Sequence, residues 1–194
     1  MTPPISPEQL QELTQADERE RPLLLARKLA ALNGFGMGLC AVLVFALGIF
    51  DPPSWLLAVV LGVLARTELR GRRLLERYDP SALPLLCRNQ VALVGTVWIY
   101  ALCSIYFGLR GPSPLTQILE EHPDLAEMLS TADVLHDAQK YYRYGLVAFY
   151  GLVIVVTTAF QGGTALYYAS RRKHLDHFLA RTPDWVVEWK RTRR

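Results

Sequence analysis

The 22 residues LAALNGFGMGLCAVLVFALGIF, Leu29–Phe50, carry no formal charge and decide how the rest of the chain is read. An α-helix rises about 1.5 Å per residue and a bilayer's hydrocarbon core is about 30 Å thick, so roughly 20 such residues cross it. Two further uncharged runs pass the same test, Val91–Leu109 with 19 residues and Tyr144–Ser170 with 27. A fourth, Pro52–Ala65, holds only 14 residues before Arg66. It lies between two full-length runs, and snorkelling of Arg66 together with local bilayer thinning covers the shortfall. The expectation is an all-α membrane protein with four transmembrane helices, at about 29–50, 52–69, 90–109 and 144–170.

The charges support that count. Of the 21 basic residues, only Arg110, Lys140 and Arg143 fall on the side reached after the first and third spans. The other 18 precede the first span, lie between the second and third, or follow the fourth. Under the positive-inside rule both termini are then cytoplasmic. A basic cluster beside a membrane helix attracts anionic lipid headgroups at about 1 kcal/mol per residue. That favours lipid over nucleic acid as the partner of Arg72, Arg73, Arg171 and Arg172. Cys40, Cys87 and Cys103 form no Cys-x-x-Cys pair and read as small core residues. About 28 polar or mixed residues precede the first apolar run, which is unlike a secretory signal peptide.

Three segments flank the spans. Residues 1–22 are an N-terminal cytoplasmic segment in which Ser6, Pro7 and Gln9 start a short helix through a capping box, and Arg21-Pro22 is expected to break it. Residues 23–181 form the transmembrane domain. Within it, 111–142 is an acidic outer cap of short amphipathic helices separated by Pro123, the last of them running into the fourth span. The second span is expected to continue through Glu68–Tyr78 into the cytoplasm, with Glu68 and Arg72 spaced to pair and Asp79-Pro80 as the stop. In residues 182–194, Thr182 and Pro183 restart a helix whose Trp185, Val186 and Trp189 share one face, the pattern of an interfacial amphipathic helix.

Two sequence matches suggest duplicated helical hairpins. LARKLAALNG (Leu25–Gly34) shares five of ten positions with LCRNQVALVG (Leu86–Gly95), and GRRLLERY (Gly71–Tyr78) resembles RRKHLDHF (Arg171–Phe178). Parallel repeats of this kind are related by an axis along the membrane normal.

Small residues at i,i+4 let helices approach closely: Gly34 and Gly38, Ala58 and Gly62, Ala159 and Gly163. They suit packing within the bundle or contact between protomers. Polar residues inside spans are costly unless partnered. Asn89 and Gln90 open the third span, and Thr157, Thr158, Gln161 and Thr164 cluster in the fourth, where Gln161-Gly162-Gly163-Thr164 is the most unusual stretch. Interhelical hydrogen bonding is one reading of this set, a substrate or ion path the other. His174 and His177 share a helix face, and His122 and His136 lie among the acids of the outer cap. The first pair, with Asp176 adjacent, suggests a metal site but has no Cys or further His nearby in sequence. The second suggests a weak divalent-cation site but reads more simply as a solvated polar face. No metal and no cofactor is therefore expected. No catalytic or phosphate-binding motif is present.

The arginine-rich loops are in the style of bacterial inner-membrane proteins, and they identify no family. The expected function is a membrane scaffold or accessory subunit that binds itself or other membrane proteins. An oligomeric channel or small transporter, its path lined by the polar residues of the fourth span, is the alternative. A lipid-acting enzyme is the least favoured, because it lacks a catalytic set.

Overall fold

A computed structural model describes residues 6–49, 52–111 and 132–192, excepting the side chains of Pro52 and of residues 132–136. Five helices are present among the described residues: α1 (Pro7–Leu47), α2 (Pro52–Glu76), α3 (Ala82–Arg110), α4 (Ala132–Arg181) and α5 (Asp184–Thr192). Three of them, α1, α3 and α4, are long and apolar enough to cross a membrane. That property is compatible with an integral membrane protein. The described part of α2 carries Arg66, Glu68, Arg70, Arg72 and Arg73 in its second half and does not meet the same test. Most of the expected outer cap, 112–131, lies outside the described residues.

Ser6 starts α1 as its spacing predicts. Its Oγ accepts from the Gln9 amide at 3.2 Å, and its own N–H donates to Gln9 Oε1 at 3.0 Å. The expected break at Arg21-Pro22 does not occur, and α1 continues through Pro22 for 41 residues. Proline inside a helix forfeits one backbone bond and costs about 3 kcal/mol. Burial on both sides of it opposes that cost, for Ala16, Leu23, Ala26 and Ala30 are all fully buried.

The contacts of α1 and α2 make them an antiparallel hairpin. Phe45 and Trp55 meet at the turn end with ring centroids 6.4 Å apart, while Arg27 reaches the carbonyl of Leu75 at the other end. Between these ends, Gly34 of α1 packs against α2. A Cβ placed there would lie 2.7 Å from Leu69 Cδ2 and 3.5 Å from the Ala65 carbonyl.

The end of α2 is a Schellman motif with an unusual residue in it. Asp79 N–H bonds the Leu74 carbonyl at 3.0 Å and Tyr78 N–H bonds that of Leu75 at 3.1 Å. The motif places Tyr78 at φ 56°, a position usually given to glycine. A side chain there costs roughly 1–2 kcal/mol. The ring is compensated by its surroundings: it is fully buried, stacks on Phe178 at 4.8 Å and lies 4.9 Å beneath the Arg27 guanidinium.

The chain divides into two compact units. The first contains α1, α2, the start of α3 through Leu93, α4 from Gln161 onward, and α5. Its core is a single cluster that includes Leu23, Leu75, Leu83, Leu86, Tyr168, Leu175, Phe178 and Val186. The two segments matched as Gly71–Tyr78 and Arg171–Phe178 meet in this cluster, with Leu75 and Leu175 both fully buried and Tyr78 stacked on Phe178. The other matched pair does not share an environment, since Arg27 is buried and Arg88 exposed. The second unit contains Val94–Arg110 of α3 and α4 up to Phe160. There Gly108 lies under Leu146, whose Cδ2 would be 2.7 Å from an added Cβ.

Helix α5 begins at Asp184, one residue later than expected, and Thr182 Oγ1 is buried without a hydrogen-bond partner instead of capping it. The face of α5 that the protein covers holds Val186, Val187 and Lys190. Trp185 donates to Glu12 Oε2 of α1 at 3.1 Å, so α5 docks along the first turns of α1.

Candidate functional site

The most concentrated buried polar group in the first unit is built on Glu68. Along α2 the buried residues Ala58, Leu61, Leu64, Ala65, Glu68 and Leu75 recur at helical spacing, so Glu68 sits in the apolar stripe. Its side chain points inward and is fully buried. Asn89 Nδ2 donates to Glu68 Oε2 at 2.6 Å and also to the Leu64 carbonyl at 3.1 Å. Gln90 Nε2 and the Tyr168 hydroxyl each donate to Glu68 Oε1 at 2.9 Å. Asn33 of α1 brings its amide toward Glu68 and Tyr168 without closing a hydrogen bond. Residues of all four long helices therefore converge on one carboxylate.

Energetically the arrangement is close to balanced. Desolvating a carboxylate costs several kcal/mol. Hydrogen bonds to a charged group return about 1.5–3 kcal/mol each, so three neutral donors offset most of it. No cation among the described residues pairs with Glu68. Arg72, its expected partner, instead bonds Glu76 at 2.9 Å. The i,i+4 spacing allowed either pairing. The choice follows from Glu68 facing the core, while Arg72 and Glu76 lie half-exposed on the helix surface. One acceptor in the group is left over, for Gln90 Oε1 is buried with no hydrogen-bond partner.

A second, ionic group ties the charged segments together. Arg27 Nη1 and Lys190 Nζ each bond a different oxygen of Glu20 at 2.7 Å, and Lys190 also pairs with Asp17. Arg27, Glu20 and Lys190 are all buried. Burial alone would pull the Lys190 ammonium down, but its bonds to Asp17 and Glu20 outweigh this and hold it above the usual lysine value. Burial pushes the Tyr78 phenol up to about 12. Hydrogen bonds from Ser81 hold Asp79 below the usual carboxylate range.

Of the six intramembrane polar residues singled out in sequence, the structure brings Asn89 and Gln90 together, on Glu68. Thr158 lies in the second unit, where its hydroxyl donates to the Ile154 carbonyl at 2.7 Å and accepts from Trp98 Nε1 at 2.9 Å. Thr157 and Thr164 are half-buried. Gln161 is half-buried too, with its Oε1 enclosed and unpartnered. Glu68 and Tyr168 were missed. The signal for Glu68 was available, because its spacing from Leu61, Leu64 and Ala65 puts it on the apolar stripe.

Among the small residues, Gly34 packs on α2 and Gly38 would place a Cβ 3.9 Å from that of Ala65. Ala58 is buried and Ala159 exposed, while Gly62 and Gly163 face open space. Among the expected headgroup contacts, Arg73 and Arg172 are exposed, Arg171 stacks over Tyr167 at 4.6 Å, and Trp189 is half-buried. His174 and His177 are exposed on α4, His122 lies outside the described residues, and of the His136 side chain nothing is described. No protein-family model, no curated protein and no solved structure matches this chain.

Proposed function

We propose that the chain is a non-catalytic integral membrane scaffold or accessory subunit that binds itself or other membrane proteins. In this reading α2 is a fourth crossing, both termini are cytoplasmic, the membrane is a bacterial inner membrane, and the acidic segment before α4 faces the other side. The observation that carries it is the closure of Glu68 by Asn89, Gln90 and Tyr168. The acid best placed to carry ion or proton chemistry is engaged in tying α2 to α3 and α4. The apolar faces beyond it, including Phe35, Leu39, Val59, Ile99 and Phe160, are exposed and suit lipid or a neighbouring membrane protein.

Purified protein in liposomes should leave an imposed proton or sodium gradient as long-lived as in protein-free liposomes. Extracted under mild conditions, it should have a discrete mass above its own 21.9 kDa. A monomer would overturn the reading. The conduit is kept as a second reading because the acceptors of Gln90 and Gln161 are enclosed and unpartnered. Gradient dissipation that Glu68→Gln abolishes, in a protein that still melts at its usual temperature, would establish it.

A further inference from the structure

A cleft of about 370 Å³ opens between the start of α3 and the end of the apolar run of α4, lined by Leu83, Pro84, Cys87, Arg88, Ala169 and Arg172. Its volume falls within the roughly 300–1,000 Å³ of small-molecule sites. The floor is apolar, and the two arginines are the charged residues of the lining. Both are exposed, and neither makes an ion pair or hydrogen bond with any described residue. This differs from Arg27, Arg72 and Arg191, which are all engaged by protein oxygens.

The position of the cleft narrows the ligand. Arg88 lies three residues before the uncharged run Val91–Leu109, and Arg172 lies two residues after the run Tyr144–Ser170 ends. On the membrane-spanning reading, two free guanidiniums thus stand at the depth of the headgroups, with an apolar slot beside them. We infer that this cleft is a binding site for one anionic glycerophospholipid of the adjoining leaflet. Its phosphate sits between Arg88 and Arg172, where guanidiniums bind phosphate oxygens with charge-assisted hydrogen bonds. One acyl chain lies along Leu83, Cys87 and Ala169. Basic pockets between membrane helices favour such headgroups, and a zwitterionic lipid offers its phosphate with a compensating cation attached. The site depends on the chain spanning the membrane and not on the scaffold role, so its failure leaves that role standing.

The test is native mass spectrometry of the full-length protein titrated with phosphatidylglycerol or phosphatidylcholine of the same acyl composition. One phosphatidylglycerol should bind about tenfold or more tighter than phosphatidylcholine, and Arg88→Gln with Arg172→Gln should remove most of that preference. Arg70→Gln with Arg73→Gln removes the same charge from the exposed surface of α2 and should change it less than about twofold. Equal loss in both double variants would overturn the site in favour of diffuse attraction, as would a preference that survives Arg88→Gln with Arg172→Gln. A second measurement needs no arginine variant. In a Cys40→Ala, Cys103→Ala background, phosphatidylglycerol should slow maleimide labelling of Cys87 and phosphatidylcholine should not. Equal rates in the two lipids would overturn the proposal independently.

Discussion

The two units of this protein are held together by different means. In the first, charged and uncharged segments alike enclose a core: Leu23, Leu75, Tyr78, Leu86, Tyr168 and Phe178 are fully buried, and Glu20, Arg27, Glu68 and Lys190 are buried with them. In the second, Ala101 is the sole described residue that counts as buried. Its helices meet at Gly108 under Leu146, at the Trp98–Thr158 hydrogen bond, and at the edge-on pair Tyr100 and Tyr150 with centroids 6.2 Å apart. Water drives apolar side chains into a core, but lipid tails are as apolar as leucine and supply no such drive. Helices surrounded by lipid associate through close backbone approach and single hydrogen bonds.

The largest effect should come from breaking the ionic group of the first unit. Glu20→Ala removes the anion between buried Arg27 and Lys190, and stranding a buried charge costs about 3–5 kcal/mol. Chemical denaturation in micelles should show that loss, together with release of α5 as greater quenching of Trp185 by aqueous iodide. The same region should fail at alkaline pH. The Lys190 value is raised on folding, so its stabilisation is complete below the unfolded value near 10.5 and is lost as pH rises through the folded one. Tyr78, raised to about 12, acts with the same sign, because the unfolded phenol ionises first from about pH 10 upward. Iodide quenching followed from pH 8 to 12 should therefore increase above pH 10, and a flat profile would mean that α5 is not held by Lys190.

An intermediate effect is expected at Gly108. An added methyl would press on Leu146, and overpacking costs typically about 1–3 kcal/mol. Gly108→Ala should lower the melting temperature, while Gly95→Ala, which meets open space in the same helix, should not. If both are neutral, the second unit is not assembled by close approach at Gly108. The smallest effect should come from Trp98→Phe, which removes one interhelical hydrogen bond worth about 0.6 kcal/mol in membranes. A loss several times larger would show that this bond carries more of the second unit than its helix contacts imply.

Several elements of the fold were legible in the residues. Ser6 and Gln9 form the capping box that their spacing announces, Asp79-Pro80 follows the end of α2, and Asn89 and Gln90 stand out as polar groups needing partners. The partner they find was not legible. The spacing of Glu68 put it on the apolar stripe of α2, but that α3 and α4 bring Asn89, Gln90 and Tyr168 against that stripe could not be read from it. The headgroup-plane reading of α5 likewise rested on its tryptophan face. What α5 packs on came from the structure: Val186 of that face is buried with Val187 and Lys190, and Trp185 and Lys190 reach Glu12, Asp17 and Glu20 of α1.

Sequence alone determined the helical class, the three long apolar helices and the separation of basic from acidic segments. These follow from the local sum of side-chain transfer energies along a helix, which needs no knowledge of neighbours. Tertiary structure decided which polar groups are enclosed, that Tyr78 occupies a glycine-type backbone position, and that Lys190 meets Glu20 across 170 residues of chain. Each depends on what a distant segment brings against it. The cost of burying a charge or straining a backbone is local, whereas the contacts that offset it are not.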